Sequence, residues 1–224
     1  MILDSKIVSG SAITGVLLAG GQSRRMFAGA QTSGDKGLLE IAGQPMLAHV
    51  ASRLKPQVGA MVINANGDPA RFVAFGLPVV ADTVEGHVGP LAGVLAGMRW
   101  SAANAPEATH IATVSTDAPL LPLDLVARLA AKLGDKPIVL ASSWGEIQPV
   151  IGLWPVALAD DLEAALKGGV RKVLAWTDRH GTTAVDFAFV QLGPLLVDPF
   201  FNANTPAELE QAEMYLEQES SADT

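Results

Sequence analysis

Four short stretches of this chain end in residues that can hold phosphate or a divalent cation. In Leu18-Ala-Gly-Gly-Gln-Ser-Arg-Arg-Met26 an apolar run stops in two glycines, and two arginines follow. Glycine lets the backbone approach a ligand and present N–H donors without side-chain bulk. Arg24 and Arg25 add fixed positive charge suited to phosphate. The stretch lacks the Gly-x4-Gly-Lys-Ser/Thr of a Walker loop and the Gly-x-Gly-x-x-Gly of a dinucleotide site. A tight strand-to-helix turn with solvated arginines is the plainer alternative. Asp35-Lys36-Gly-Leu-Leu39 puts Lys36 on the same connection, in reach of whatever the glycines cradle, or else simply on the surface. Asn64-Ala-Asn66 and Asp82 each follow an apolar run. An amide can donate and accept toward a base or ribose, and a carboxylate accepts from base N–H groups or ribose hydroxyls. The same residues serve equally as caps and turn formers. Ser115-Thr-Asp117-Ala-Pro119 sets an acid at the end of an apolar run, before a Pro-closed turn. Mg²⁺ is typically bound through one or two carboxylates plus substrate phosphates, and a helix N-cap ahead of Leu123 is the competing reading.

These residues need strand ends to carry them. Apolar runs of strand length cover 13–18, 61–64, 78–82, 110–115 and 138–142. They lack the alternation of a half-exposed strand, as parallel strands covered on both sides do, although short buried helices look similar. Between them lie helical patterns: 46–54 after Pro45, 91–100, 123–133 after Pro122, 156–166 and 206–216. Thr205-Pro206-Ala207-Glu208 supplies an N-cap, a first-turn proline and an early acid. Residues 184–190 alternate and predict an edge strand. Strands alternating with helices imply βαβ units and an open, mostly parallel α/β sheet with helices on both faces. In such a sheet ligands gather at the carboxyl ends of the strands, where all four stretches fall.

The whole composition agrees. The chain has 224 residues, 49% of them apolar and 17% charged, which excludes disorder and predicts one domain over 13–218. Residues 1–12 read as a flexible leader and 219–224 as a flexible tail. Mean hydropathy is high at +0.31, yet the longest apolar run near the N-terminus is far short of the ~20 residues a spanning helix needs. Asp4 and the interrupted apolar patch argue against a secretory signal. A net charge of −8 argues against nucleic acid and anionic membranes as partners. With no cysteine there is no disulfide, thiolate nucleophile or Cys-bound zinc, which fits the cytosol. His49, His87, His110 and His180 form no ligand spacing.

Read in order, Leu18-Ala-Gly-Gly-x-Ser-Arg-Arg-Met26, Asp35-Lys36-Gly-Leu-Leu39, Gly43-Gln-Pro45, Asn64-Ala-Asn66, Asp82, Gly89-Pro-Leu-Ala-Gly93, Asp117-Ala-Pro119 and Asn202-Ala-Asn-Thr-Pro206 resemble the molybdenum cofactor guanylyltransferases. The resemblance runs from Ile13 to Met214. It implies the three-layer Rossmann-like nucleotidyltransferase fold. It also implies transfer of GMP from GTP to the terminal phosphate of molybdopterin-bound molybdenum, with release of pyrophosphate. Mg²⁺ is the implied cofactor, and GTP, Mo-molybdopterin and molybdenum cofactor handling proteins are the implied partners in the cytoplasm. Carried over motif by motif, GTP would be held by Leu18, Ala19, Gly20 and Gly21, by Lys36, Asn64, Asp82 and Asp117. Asp117 would bind the metal, and Asp117, Lys36 and Arg25 would be catalytic. Asn202 and Asn204 would lie on the molybdopterin side.

The chain departs from the family where Phe27 follows Met26 and 27–34 lengthens the loop to Lys36. It departs again at Gln148, where some members place His before the proline. Relatives that use CTP tend to show Leu-Ala-Ala-Gly at the first turn, so Ala19-Gly20-Gly21 favours a purine. A molybdopterin cytidylyltransferase and a sugar-1-phosphate nucleotidyltransferase remain alternatives, though the sugar enzymes are usually longer. A non-catalytic nucleotide-binding module would be expected to lose Lys36 or Asp117, and both are present. Trp100 and Trp176 read as core cover, while Trp144 and Trp154 either pack or line a pterin pocket.

Overall fold

A computed structural model describes residues 9–20, 34–84 and 89–222. Its strands and helices in chain order are β1 Ile13–Leu18, β2 Glu40–Ile41, β3 Gln44–Pro45, α1 Met46–Leu54, β4 Ala60–Asn64, β5 Val79–Val80, α2 Pro90–Asn104, β6 His110–Ser115, α3 Leu125–Ala130, β7 Ile138–Ser143, β8 Glu146–Pro155, α4 Ala159–Lys167, α5 Val173–His180, β9 Thr182–Phe187, β10 Val190–Leu192, β11 Leu195–Val197 and α6 Pro206–Ala222. Seven strands form one sheet in the order β5-β4-β1-β6-β8-β7-β9. Every neighbouring pair is parallel except β6–β8 and β8–β7. The α/β expectation therefore holds, with β8 as the single reversed strand of this sheet.

Both faces are covered, and the strands read uniformly apolar because alternate residues enter different cores. In β1, Ile13 and Leu17 pack with α1 and α3, while Val16 packs with α2, α4 and α5. In β6, Ala112 and Val114 face the first core and Ile111 the second. A smaller third cluster joins α6 to β2, β10 and β11 through Ile41, Leu192, Val197, Ala212 and Leu216.

Helix α2 lies between the sheet and α4, so all residues from Leu91 to Met98 are buried. Close approach to β1 depends on its glycines. A Cβ on Gly97 would meet Val16 at 2.6 Å, and one on Gly93 would meet the Asn64 amide oxygen at 2.3 Å.

Several expectations shift. The 78–82 run gives only Val79–Val80, and the 123–133 pattern only Leu125–Ala130. Helix 156–166 begins as a 3-10 turn and becomes α4 at Ala159. The edge strand starts earlier than 184 and ends at Phe187. The expected tail at 219 is still helix through Ala222, and Glu219 pairs with Arg53. The end of the expected leader is a 3-10 turn, Gly10–Ala12, tied on by Thr109 N–H to Ala12 O.

Strand β8 and helix α5 are not among the elements expected from the apolar pattern. Pro149 lies inside β8, where the register with β7 jumps between Leu140 and Ala141. A residue without an N–H is tolerated at such a bulge. Trp154 is buried and stacks on Trp176 with centroids 6.2 Å apart, so it lines no ligand pocket. Its indole N–H donates to Thr113 Oγ1 at 2.7 Å. Trp144 is 77% exposed at the β7–β8 turn, beside Phe189.

Overpacking of a tight helix–strand contact costs about 1–3 kcal/mol. Gly97→Ala should lower the urea midpoint by that equivalent with an unchanged m-value. In the first turn of α4, Asp161 accepts from Trp176 Nε1 at 2.8 Å and from His180 Nε2 at 2.8 Å. The Trp176 bond foremost, then His180, holds its carboxyl below the ordinary value of 3.8. A depressed carboxylate stabilises the fold above its unfolded pKa and loses that contribution as pH falls through the folded one. Asp161→Asn should flatten the decline in stability below pH 3.8, read by denaturant titration across pH.

Candidate active site

The carboxyl ends of β1, β4, β5 and β6 share one edge of the sheet, because these strands are parallel neighbours. Residues far apart in sequence therefore meet there. Lys36 sits in a 3-10 turn, Lys36–Leu38, laid against the end of β6. Gly37 allows this approach: a Cβ there would stand 2.8 Å from Thr116 Oγ1. Lys36 Nζ consequently reaches the Asp117 carboxylate, 81 residues on, in an ion pair whose two side chains are each 14% exposed. It also donates to Asn204 Oδ1 at 2.7 Å.

Asp117 is held from three directions. Ser115 Oγ donates to its Oδ1, Lys36 to its Oδ2, and its own carbonyl accepts from Ala203 N–H at 3.1 Å. That last bond docks the segment before α6 onto the site. Asn204 Nδ2 donates to the Asn202 carbonyl at 3.2 Å, and Asn204 N–H donates to Glu208 at 2.8 Å. Glu208 N–H donates to Thr205 Oγ1, the hydroxyl expected to cap α6. The Oδ1 of Asn202 is the one buried side-chain polar atom among the described residues with no hydrogen-bond partner.

A second constellation lies at the ends of β4 and β5. Buried Asn64 donates through Nδ2 to Asp82 Oδ1 at 3.0 Å and to Val80 O at 3.2 Å. Asn66 donates to Asp82 Oδ2 at 2.8 Å and accepts from Asp82 N–H at 2.9 Å. The Asp82 carboxylate is thus fixed by two amides before any ligand is considered. The β1 end joins the two constellations. Ala19 N–H donates to Asn64 O at 2.9 Å, and Thr116 Oγ1 donates to Leu18 O at 3.4 Å. Gly20 is exposed.

Of the expected site residues, Leu18, Ala19, Gly20, Lys36, Asn64, Asp82, Asp117, Asn202 and Asn204 lie on this one edge. Gly21, Arg24 and Arg25 lie outside the described residues, as do 27–33 of the long loop. Asn204, expected on the acceptor side, touches Lys36. Ser115 and Asn66 emerge as the residues that orient the two aspartates. Both stand within the motifs, but only the fold reveals their partners.

No described helix is long and apolar enough to cross a membrane. Residues 15–184 match the MobA-like NTP transferase domain. The chain is 50% identical over 206 residues to a molybdenum cofactor guanylyltransferase of Bradyrhizobium sp. (strain ORS 278), covering 91% of this chain and 92% of the relative. A second, from Mesorhizobium japonicum, is 47% identical over 208 residues, covering 92% and 96%. The solved structure of molybdopterin-guanine dinucleotide biosynthesis protein A from Archaeoglobus fulgidus shares the fold, with a TM-score of 0.68 at 21% identity over 92% of this chain and 99% of that one. Identity near one half, sustained along nine-tenths of both chains, exceeds what a shared fold alone produces, and on that ground the chain belongs to the molybdenum cofactor guanylyltransferases among the MobA-like NTP transferases.

Proposed function

We propose that this enzyme transfers GMP from GTP to Mo-molybdopterin. A phosphate oxygen of the acceptor attacks the α-phosphorus, the bond from that phosphorus to the α–β bridging oxygen breaks, and pyrophosphate leaves. The product is molybdopterin guanine dinucleotide. The observation that carries this reading is the Lys36–Asp117–Asn204 cluster sharing a sheet edge with the Asn64–Asp82 pair. One group of residues has the chemistry for phosphates, the other for a base or ribose.

Phosphoryl-type transfer asks little covalent work of a protein, so catalysis is positioning plus charge neutralisation. The backbone from Leu18 to Gly21 would line the nucleotide. Lys36 and Arg25 would offset charge that builds on the leaving pyrophosphate. An ionised acceptor phosphate needs no general base. Asp82, fixed by Asn64 and Asn66, would accept from the nucleoside. The partnerless Asn202 Oδ1 is an acceptor awaiting a donor, which suits a place beside a polar pterin.

The donor set also suits Mg²⁺. Among the described residues no three His, Cys, Asp or Glu side chains group as a metal cage. One carboxylate, Asp117, stands at the phosphate end, and Mg²⁺ usually takes one or two carboxylates and completes its shell with phosphates and water. When bound there the ion would neutralise phosphate charge. This assigns Asp117 as its ligand. A cytoplasmic setting, with transfer of the product to cofactor-handling proteins, completes the proposal.

Pyrophosphate release with GTP, Mg²⁺ and molybdopterin tests the reaction. Asp117→Ala should lower turnover by about 10²-fold or more, the scale for losing one transition-state charge partner, with an unchanged circular dichroism spectrum. Near-normal turnover of that variant in saturating Mg²⁺ would defeat the metal assignment. Side-by-side titration with GTP, CTP and ATP should give GTP the tightest binding, and tightest binding of CTP would reassign the substrate.

A further inference from the structure

The two constellations at the sheet edge are joined by a side chain that belongs to neither. Arg71 lies in the 3-10 helix Pro69–Phe75, which follows β4. Each arm of its guanidinium is engaged. Nε donates to Asp68 O at 2.9 Å and Nη2 to Asn66 O at 2.6 Å. Nη1 pairs with the carboxylate of Asp35, whose side chain is 15% exposed. The guanidinium carbon lies 5.2 Å from the ring centre of Phe72, which the core buries completely. A planar fork bonded on three edges has little freedom left to rotate.

Two of the three partners of this fork are adjacent to site residues. Asn66, whose carbonyl it takes, holds Asp82 with its side chain. Asp35 immediately precedes Lys36 and occupies the N-cap position of the turn that carries it. Its carboxylate caps nothing there; it turns to Arg71 instead. A shallow 3-10 turn without a side-chain cap is weak on its own, so the direction in which Lys36 leaves it depends on where Asp35 is anchored. We infer that Arg71 is a positioning residue for nucleotidyl transfer: through Asp35 and Asn66 it fixes the spacing between the phosphate-side Lys36 and the nucleoside-side Asp82. It also keeps the Asp35 carboxylate paired, so that this charge does not compete with Asp117 for the Lys36 ammonium. The inference rests on the proposed nucleotide site and adds a component to it.

The test compares binding of GTP and GMP to the full chain by calorimetry, because Lys36 is assigned to the outer phosphates that GMP lacks. Arg71→Ala should cut the GTP-over-GMP affinity ratio about tenfold, the low end for loss of an outer-shell partner. Arg71→Lys, which can pair with Asp35 but cannot fork to the two carbonyls, should restore part of the ratio. Asp35→Asn should lower the ratio in the same direction. The Asp35→Asn/Arg71→Ala double variant should do no worse than Arg71→Ala, as coupled residues do. An unchanged ratio in Arg71→Ala, equal losses for GTP and GMP, or additive effects in the double variant would overturn the inference. If Arg71→Ala does not fold, Arg71→Lys and Asp35→Asn carry the same comparison. A wild-type protein that prefers CTP would overturn the choice of GTP alone, and the CTP-over-CMP ratio would then test Arg71. A wild-type protein that binds no nucleoside triphosphate would overturn both.

Discussion

An ammonium and a carboxylate brought together at the ends of two adjacent parallel strands organise this molecule's working edge. Lys36 enters from the β1 side and Asp117 stands past the end of β6. Neither could reach the other without a bare backbone at Gly37 to lie against Thr116. Two half-buried opposite charges are tolerated because each has a further partner: Ser115 for the Asp117 carboxylate and Asn204 for Lys36. Removing one member would leave the other partly buried and unpaired, which generally costs more than the pair itself contributes. The contact also recruits the chain's late segment. Through Asn204 and Ala203 it brings residues more than eighty positions downstream onto the same edge as the first strand.

The parallel sheet makes such a meeting possible and the single reversed strand limits it. Strands β1, β4, β5 and β6 end on one edge with their site residues in register: Leu18 sits opposite both Asn64 and Ser115. Strand β8 runs the other way, so its end at Pro155 points off and the turn at Trp144 returns to the working edge with β7. Ser143 there donates to Asp198 at 2.9 Å, while Ala203 bonds Asp117. Residues 198–203 therefore span the edge from the β7 end to the β6 end, across the place where the reversed strand interrupts the parallel array. This bridging explains how Asn204 touches Lys36 although its neighbour Asn202 keeps a buried acceptor unfilled.

Much of this was legible before folding was considered, and the unread part has a physical cause. Strands β1, β4, β6 and β7 are read within a residue because both their faces are buried, so they appear as unbroken apolar runs. Strand β8 carries Pro149 and Gly152, which mark it as a turn to any local rule; its pairing is a tertiary fact set by a bulge. Helix α5 is amphipathic over only eight residues and ends in Arg179-His180, too short to rise above background. At the site, Lys36, Asp82 and Asp117 stood out only when their motifs were read together in order, because singly each residue type serves as well as a surface charge, a turn former or a helix cap. Arg71 gave no sign: it stands alone between the turn formers of 66–69 and the apolar 72–75, and its carboxylate is 36 residues away.

A further asymmetry separates the two ends of the site. At the Asp82 end both oxygens of the carboxylate accept from amides, and Gly93 admits no side chain because Asn64 already fills the space. That end is assembled as part of the folded core, close to the buried surface of α2. The Lys36 end is built from long or late-arriving groups: a lysine on a short turn and an asparagine ahead of α6. Folding stability alone would select for satisfied, apolar contacts there, since an unpaired buried acceptor such as Asn202 Oδ1 costs about 1–3 kcal/mol. Arg71 ties the two ends together through Asp35 and Asn66. In the proposed reaction only the phosphate end changes its charge, so a nucleoside end fixed by the fold and a phosphate end built from charged side chains would divide the work of the transfer between them.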